Sequence, residues 1–219
     1  MLPLHWFLLT PCGICAAPLT DGQASGDPLC ADCRERLALP RDGLCGREPI
    51  AWWGAGLYGG PLRELLLGLR RRPRASAVEA LVSGIVAQLR PSIVGHTPLL
   101  VPIPSWKRQA NPLPGLLCQA LGRRARLRRA DDLLVRSRPV LGQHHLGREL
   151  RHANQAGAFL CRPSAVAMQR RLQPLLIVDD ILTSGATACS AATCLRQAGW
   201  QVQGVVCLAR TPWGRQAVL

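Results

Sequence analysis

The stretch Leu175–Thr187, which reads LLIVDDILTSGAT, decides the fold of this chain. Its first four residues are apolar and end on β-branched side chains, a pattern that predicts a buried strand of a parallel sheet. Two acids, Asp179 and Asp180, stand at the C-terminal end of that strand, and a loop rich in hydroxyl groups follows. Apolar residues at helical spacing then run from Ala188 to Gln197, and Gly199 is a suitable helix end. A strand, an acid pair, a loop and a helix in this order predict an α/β fold.

The loop and the acid pair offer two different kinds of binding group. Backbone N–H groups of such a turn at a helix start bind anions, and the residues concerned are Thr183, Ser184, Gly185, Ala186 and Thr187. We expect a side chain in place of Gly185 to fill this cradle. The two carboxylates suit vicinal hydroxyls, or a hard cation carried with the ligand. Since ligands bind at the carboxyl ends of such strands, the pattern predicts a ribose 5-phosphate site; an ordinary solvated turn is the alternative.

The same stretch resembles the phosphoribosyl-pyrophosphate motif of type I phosphoribosyltransferases. That motif consists of four apolar residues, two acids, an apolar pair and a T-[ST]-G-x-T loop, and every position is filled here. It is not a Walker A loop, because no Gly-Lys-Ser/Thr is present. The resemblance implies that the ligand is phosphoribosyl pyrophosphate with Mg²⁺.

Composition and charge limit the possible functions. The chain has 219 residues, of which 48% are hydrophobic, enough for one packed domain plus a small module. Its formal net charge of +14 implies affinity for phosphates, nucleic acid or acidic partners. The apolar start lacks a basic n-region and no run of 18 apolar residues exists, so we expect neither a signal peptide nor membrane insertion. The 10 cysteines then favour reduced thiols, metal binding and a cytoplasmic location.

Two C-x-x-C pairs near the start predict a metal site, and their members are Cys12, Cys15, Cys30 and Cys33. Two such pairs complete a closed tetrahedral site, which is typical of structural Zn²⁺. The surrounding segment has no periodic apolar pattern, so it cannot build a core of its own and needs a bound metal to stabilise its fold. Coincidental free thiols are the alternative.

The first 50 residues are therefore predicted to be a cysteine zinc-finger module with its linker, and residues 51–219 the main domain. Residues 40–49 read as the linker, and Cys45 within them as a lone buried thiol. The aromatic residues Trp52, Trp53 and Tyr58 are expected to pack the linker against the main domain.

Further helices and strands follow from apolar patterning in the middle of the chain. Helices are predicted over Leu62–Leu69, Ala75–Leu89 and Pro112–Leu121, and strands over Leu99–Val101 and Leu133–Val135. Two arginine clusters, Arg70–Arg74 and Arg123–Arg129, are either solvated surface or anion-binding patches.

The polar segment from Gln143 to Phe159 carries further candidates. Adjacent histidines point to different sides of a helix, so His144 and His145 are interpreted as surface residues rather than a metal site. Arg151 and Asn154 are three residues apart and share one face. Such a pair can hold a phosphate or order a loop.

From Cys12 to Thr211 the chain is similar to the ComF family, which includes competence-associated and GntX-like proteins. The matching pieces are the cysteine pairs, Tyr58 with Pro61-Leu62, Pro102-x-Pro104, Asn111, Gln143 with Leu146, Arg151-x-x-Asn154-x-x-Gly157-x-Phe159, the stretch Leu175–Thr187, and Ala209-Arg210-Thr211. The resemblance implies a parallel-sheet, Rossmann-like type I phosphoribosyltransferase fold preceded by a small cysteine zinc-finger module.

The chain departs from the family pattern in two places. The family usually carries Arg-Gly-Phe-Asn-Gln after its Pro-x-Pro turn, whereas residues 107–112 here read KRQANP. Lys107 and Arg108 are the candidates for the pyrophosphate side, and Arg151 is a further candidate for substrate binding. The family's third cysteine pair is reduced to Cys45.

Two functions fit these patterns. The first is a phosphoribosyltransferase that transfers a phosphoribosyl group to a nucleobase-like acceptor, with Asp179 and Asp180 as the catalytic acids that hold the ribose hydroxyls. The second is a non-catalytic competence protein whose arginines contact single-stranded DNA, or partner proteins of the DNA-uptake or recombination apparatus. Turnover of phosphoribosyl pyrophosphate with a panel of bases would separate them.

Overall fold

The computed structural model describes residues 11–19, 27–105, 111–137, 157–162 and 173–212. These residues form a six-stranded sheet and a separate two-stranded sheet. The strands are β1 (Leu44–Gly46), β2 (Trp52–Leu57), β3 (Leu99–Pro102), β4 (Arg128–Arg129), β5 (Leu134–Arg136), β6 (Phe159–Cys161), β7 (Leu175–Leu182) and β8 (Val202–Arg210). The helices are α1 (Ala31–Arg36), α2 (Gly60–Arg71), α3 (Ala75–Leu89), α4 (Leu113–Ala125) and α5 (Ala186–Gln197).

The large sheet is parallel except at one edge. Its strand order is β1-β2-β8-β7-β3-β4, and only the edge strand β1 runs antiparallel to its neighbour. The small sheet pairs β5 with β6. A mixed α/β fold with a mostly parallel sheet is therefore confirmed.

Strand β7 is longer than its apolar run predicts. Its pairing with β8 continues to Leu182, whereas its pairing with β3 ends where Pro102 faces Val178. The acid pair is thus held by β8 on one side and stands beyond the end of β3 on the other. The apolar run marks the fully buried part of β7, and the long strand β8 supplies backbone partners for the rest.

The two faces of the large sheet carry different layers. Leu176 and Val178 of β7 belong to a core shared with α2, α3 and α4. Leu175 and Ile177 belong to the second core, which includes residues of α5, β5 and β6. Because side chains alternate along a strand, Asp180 projects on the side of the first core and Asp179 on the side of the second.

The cysteine segment shares the first core with the helices. Buried residues from the segment are Cys12, Ile14, Leu19, Leu29, Cys30, Cys33, Leu37 and Leu39, and they cluster with Leu62 and Leu66 of α2 and with Ala80 and Leu81 of α3. Strand β1 also pairs with β2 across the proposed boundary. The domain boundary at residue 50 stays a prediction, and the residues before and after it share one core and one sheet.

Most predicted elements of the middle region are present. Helix α3 has the predicted bounds, and α2, α4, β3 and β5 differ from theirs by a few residues at their ends. The aromatic stretch at Trp52 lies in strand β2, which pairs with β1 of the linker segment, and the Trp52 ring packs on Gly46 there. The segment 40–49 contains β1, and Cys45 in it is exposed, so the expectation of a buried thiol is wrong. Strand β1 has three residues and lies at the edge of the sheet, so the side chain of its middle residue, Cys45, faces solvent.

Candidate functional site

The acid pair stands where β7 passes the end of β3, directly before the loop that starts α5. Asp180 is only 3% exposed, while Asp179 is half-buried. The backbone N–H of Asp180 donates to Asp179 Oδ1 at 2.9 Å. The two carboxylates are therefore adjacent, but they lie in different surroundings.

Asp180 is neutralised by groups of the protein itself. Its Oδ2 accepts a hydrogen bond from Arg70 Nε at 2.6 Å and another from Asn111 Nδ2 at 2.8 Å. Arg70 is the next-to-last residue of α2, and Asn111 precedes α4 and also accepts the N–H of Leu113 at 3.2 Å. Burial alone would lower the pKa of Arg70, but the hydrogen bond and charge of Asp180 outweigh it and raise that pKa. Charge-assisted bonds of this length are strong, so Asp180 links two helices to β7.

Asp179 has the opposite electrostatic character. Burial, followed by the negative charge of Asp180, raises the pKa of Asp179 to about 8. A carboxyl with this pKa carries its proton for much of the time near neutrality. A carboxyl whose pKa is strongly shifted by burial and by a neighbouring charge is typical of binding and catalytic sites.

A cation from the small sheet faces Asp179. Arg136 ends β5, its Nε donates to the Pro104 carbonyl at 3.0 Å, and its guanidinium lies 4.6 Å from the centre of the Phe159 ring. Burial lowers the pKa of Arg136, and the charge of Asp179 opposes that shift. The small sheet thus places one arginine and one aromatic ring beside the acid pair.

The loop from Thr183 to Gly185 is compact and leads directly into α5. Gly185 is the residue before the helix and has φ +80°, a left-handed conformation that glycine adopts readily. The Oγ atom of buried Ser184 accepts the Ala186 N–H at 3.4 Å. The buried Arg210, at the end of β8, donates to the carbonyls of Leu182, at 2.8 Å, and of Thr183. Arg210 thereby fixes the loop through its carbonyl groups, while the N–H groups of the loop lie at the start of α5.

The expectation that a side chain at residue 185 would fill the phosphate cradle is wrong. A Cβ at Gly185 would lie 2.3 Å from Cγ of Pro49. The direction of that Cβ is set by the left-handed backbone, and it points at the segment between β1 and β2. A larger residue would therefore displace Pro49 and strain the turn.

Three predicted ligand-binding residues, Lys107, Arg108 and Arg151, lie outside the described residues. His144, His145 and Asn154 do so as well. The acid pair and the five loop residues lie together at one end of β7.

The predicted metal site has the geometry of a closed thiolate centre. The sulfur atoms of Cys12, Cys15, Cys30 and Cys33 all lie within 4.8 Å of one another, and Cys15 and Cys30 are 3.7 Å apart. Tetrahedral Zn²⁺ with bonds of about 2.3 Å needs sulfur atoms about 3.8 Å apart. The cluster could therefore hold zinc after a small contraction.

Backbone groups also support thiolates in this cluster. The N–H of Cys30 donates to the sulfur of Cys12 at 3.4 Å, and the N–H of Cys33 donates to that of Cys30 at 3.4 Å. Burial opposes ionisation of Cys12, yet backbone donors from Cys15, Cys30 and Ile14 lower its pKa to about 6. Burial, together with hydrogen bonds from Cys15 and Cys30, raises the pKa of Cys33. One thiolate, that of Cys12, therefore forms easily in this cluster, whereas four thiolates together would need a cation to balance them.

The two arginine clusters lie at opposite ends of the sheet. Arg70 contacts Asp180 at the carboxyl end of β7, whereas Arg128 pairs with Leu99 at the start of β3. Leu99 pairs with Leu175, which stands five residues before Asp180 on β7, so about 17 Å of strand separates the two levels. Arg123 is paired with Glu79, and Arg129 with Asp131. The clusters are thus separate surfaces, and Arg70 is an internal partner of the site.

Sequence reasoning missed the roles of Arg70 and Arg136. Arg70 follows the buried Leu66 by four positions and so lies on the buried side of α2. Arg136 follows the buried Leu134 by two positions on β5 and so points to the same side of that strand. Both spacings predict that the arginine points inward, but they do not predict which residue it contacts, so neither role could be assigned from the sequence.

Comparison with known proteins gives relatives over nearly the whole chain. The DNA utilization protein YhgH of Escherichia coli K12 is 30% identical over 224 residues, covering 91% of this chain and 96% of the relative. Proteins of the same name from Salmonella typhimurium LT2 and Shigella flexneri are each 29% identical, the former covering 94% of this chain and 92% of the relative, the latter 91% and 96%. No family model matches the chain. Among the described residues, no helix is long and apolar enough to cross a membrane.

Proposed function

We propose that this chain, which belongs to the family of the DNA utilization protein YhgH, binds phosphoribosyl pyrophosphate with Mg²⁺ and transfers its phosphoribosyl group to a nucleobase-like acceptor. The observation that carries the proposal is the acid pair on β7 directly before the glycine-led start of α5. An anion-binding helix start and two carboxylates at the same strand end match a phosphate and a sugar diol. The phosphoribosyltransferase-type domain would comprise residues 51–219.

The loop supplies the 5-phosphate side of the proposed site. The donors are the backbone N–H groups of Ser184, Gly185 and Thr187 and the hydroxyl of Thr183, and the Ala186 N–H joins them if it leaves Ser184 Oγ. Because Arg210 and Ser184 hold the loop backbone in place, these donors need little reorganisation when the anion binds. The start of α5 adds the favourable end of the helix dipole.

The two acids take different parts in this proposal. Asp179, facing the small sheet, accepts from the ribose hydroxyls. Because burial raises its pKa to about 8, it is charged near neutrality only when a cation lies beside it, and that charge would then stabilise positive charge that develops at C1 as pyrophosphate departs. Asp180 positions Asp179 through their shared backbone, and its own charge is balanced by Arg70 and Asn111. Arg136 offers a second cation on the Asp179 side.

Mg²⁺ enters the proposal as part of the substrate, because it accompanies the pyrophosphate group. Carboxylate oxygens are suitable partners for it. Asp180 already accepts from the cationic side chain of Arg70, whereas the bond described for Asp179 comes from a backbone N–H, so Asp179 is the acid of the pair proposed to face the cation. Lys107, Arg108 and Arg151 are proposed for the pyrophosphate itself. Bound Mg²⁺ would offset charge on the leaving group.

Titration calorimetry with phosphoribosyl pyrophosphate and Mg²⁺ tests the site. Asp179→Asn removes one charge-assisted bond, which is worth roughly 1.5–3 kcal/mol or about 10- to 100-fold in affinity. Thr183→Val removes one hydroxyl donor at constant shape and should weaken binding less. Thr193→Val, on the exposed part of α5, is the matched control and should bind like wild type. Equal affinities in all four proteins, or no binding by wild type at millimolar ligand, would show that the motif is not a working site.

A second function is favoured by the relatives and by charge. The relatives are named DNA utilization proteins, and the chain carries a formal net charge of +14. We propose as the alternative that the chain is a non-catalytic protein that binds single-stranded DNA, or partners of DNA uptake, through its arginine surfaces. Turnover of phosphoribosyl pyrophosphate with a panel of bases would contradict this alternative, and salt-dependent DNA binding without turnover would support it.

We also propose that the four cysteines hold one structural Zn²⁺. They would be its only protein ligands, so no position stays open for catalysis. Elemental analysis of freshly purified protein should find about one zinc per chain.

A further inference from the structure

We propose that the cysteine module is a positioning element of the acid-pair site. Metal binding by the four thiols would hold the turn between α2 and α3 and, through that turn, would hold Arg70 against Asp180. The use of phosphoribosyl pyrophosphate as a probe rests on the function proposed above, but the coupling itself is a property of the protein and can be measured without that ligand.

The first step is the dependence of Asp180 on Arg70. The 2.6 Å bond from Arg70 Nε reaches a carboxylate that is almost fully buried, and Asn111 is its other side-chain donor on the same oxygen. A buried carboxylate that loses its cation is strongly destabilised. Displacement of Arg70 would therefore move Asp180, and Asp179 with it, because the two share a peptide bond.

The second step is the attachment of the turn after Arg70 to the loop Cys12–Cys15, which is called the knuckle below. Arg74 Nη1 donates to the Ile14 carbonyl at 3.0 Å, and Ser76 Oγ donates to the Gly13 carbonyl at 3.3 Å. Gly13 and Ile14 are the two residues between Cys12 and Cys15. A Cβ at Gly13 would lie 2.3 Å from the Ser76 carbonyl oxygen, so the knuckle and the turn are in close backbone contact.

The other cysteine pair is tied to the same helix. Asp27, shortly before Cys30, accepts from Ser83 of α3 at 3.2 Å and is paired with Arg34 of α1. Both halves of the thiol cluster are thus attached to α3. Pro49, from the same N-terminal segment, touches Gly185 in the ligand loop and gives the module a second contact with the site.

The conformation of the knuckle depends on whether a metal ion draws the four sulfur atoms together. They lie within 4.8 Å of one another, whereas tetrahedral Zn²⁺ needs them about 3.8 Å apart, so ligation would contract the cluster. Ligation fixes both cysteines that flank Gly13 and Ile14, and it therefore fixes the carbonyls that Arg74 and Ser76 use. The opposing possibility is that the shared apolar core holds the turn by itself, and then the metal would have no effect on the site.

Hydrogen exchange tests the coupling without any ligand. The variant is Arg74→Gln, which removes the bond to Ile14 while all four cysteines and Arg70 remain. Arg63→Gln is the matched control, since it removes an exposed arginine from α2, the helix that carries Arg70. With zinc bound, we expect faster amide exchange over residues 179–187 in R74Q than in R63Q or wild type. Zinc removal from wild type should have the same effect, and unchanged exchange in both R74Q and zinc-free wild type would overturn the proposal.

Ligand affinity gives the second measurement. R74Q should bind phosphoribosyl pyrophosphate about tenfold more weakly than R63Q at equal zinc content, a typical allosteric coupling. By reciprocity, the ligand should raise zinc affinity by the same factor as zinc raises ligand affinity. If wild type binds no ligand but the exchange difference is present, the proposed function fails and the coupling stands. If R74Q and R63Q bind equally, the coupling fails and the proposed function stands.

Discussion

The cysteine module and the acid-pair site both crowd acidic groups together beside a helix start, but they balance charge in opposite ways. Four sulfur atoms lie within 4.8 Å of one another in the module. Among the described residues, the cationic side chain that donates to one of them is Arg36, whose Nη2 lies 3.8 Å from the sulfur of Cys33. In the acid pair, Asp180 already holds Arg70 and Asn111 at 2.6 and 2.8 Å. Four thiolates in the module would therefore need an external cation, whereas the charge of Asp180 is balanced from within.

This difference predicts how each region responds to change. A site that depends on an external ion loses nearly everything when one ligand is removed. A site that is balanced by its own residues loses only the contribution of the altered contact. The largest effects should therefore arise in the module, and smaller ones, of either sign, in the acid pair.

The largest effect is expected for Cys30→Ser. Structural Zn²⁺ in small cysteine modules contributes an apparent 10–16 kcal/mol or so, about the scale of whole-domain stability. We expect C30S to lose zinc, and the loss should loosen α2 and α3 as well because they share a core with the module. Zinc content and hydrogen exchange measure both effects. Cys45→Ser, at an exposed cysteine, should keep the metal; equal zinc in both variants would break the comparison.

The next effect is expected for Arg70→Gln, which leaves Asp180 buried without its cation. Removal of one partner from a fully buried pair costs about 3–5 kcal/mol. We expect roughly 2–3 kcal/mol here, because the Arg70 side chain is 31% exposed and Asn111 remains. Urea unfolding of R70Q beside Arg63→Gln measures the difference. Equal stabilities would mean that Asp180 is not balanced from within.

Asp179→Asn should have the opposite sign. Since the pKa of Asp179 is raised to about 8, the native state keeps a proton that the unfolded chain releases near pH 4. Stability therefore falls as pH rises from about 4 to about 8 through this group. D179N lacks that loss, and above pH 8 it should be more stable than wild type by at least about 1 kcal/mol, or about 2–4 °C. Thermal unfolding at pH 5 and pH 8.5 checks this; a difference that does not grow with pH would contradict it.

The smallest effect concerns the arginine surfaces at the two ends of the sheet. Each phosphate contact with single-stranded DNA contributes about 0.7 to the salt slope of binding. Paired variants that each remove two exposed arginines, R71Q/R72Q and R126Q/R128Q, should lower that slope by up to about 1.4 if their end contacts DNA. Fluorescence anisotropy over a salt series tells which end does so. Equal slopes in both double variants and wild type would remove the DNA interpretation of the charge.

The sequence determined the features that are local along the chain. The run before Asp179 shows a buried strand, and Gly185 shows the turn into α5 because few other residues adopt its backbone conformation. The spacing within each cysteine pair shows which sulfur atoms can share a metal. These signals lie within a few residues of one another, so their physics is readable from the order of residues alone.

Tertiary structure decided what each of those features touches. The partners Arg70 and Asn111 stand 110 and 69 positions from Asp180, and Pro49 reaches Gly185 from another strand connection. Nothing in the residue types at these positions names a partner. The raised pKa of Asp179 follows from burial and from the charge of Asp180, and alternation along β7 turns Asp180 toward Arg70 and Asn111 and turns Asp179 toward the small sheet. The sequence therefore determined where the acids and thiols stand, and the packing of distant segments decided which of them are already balanced.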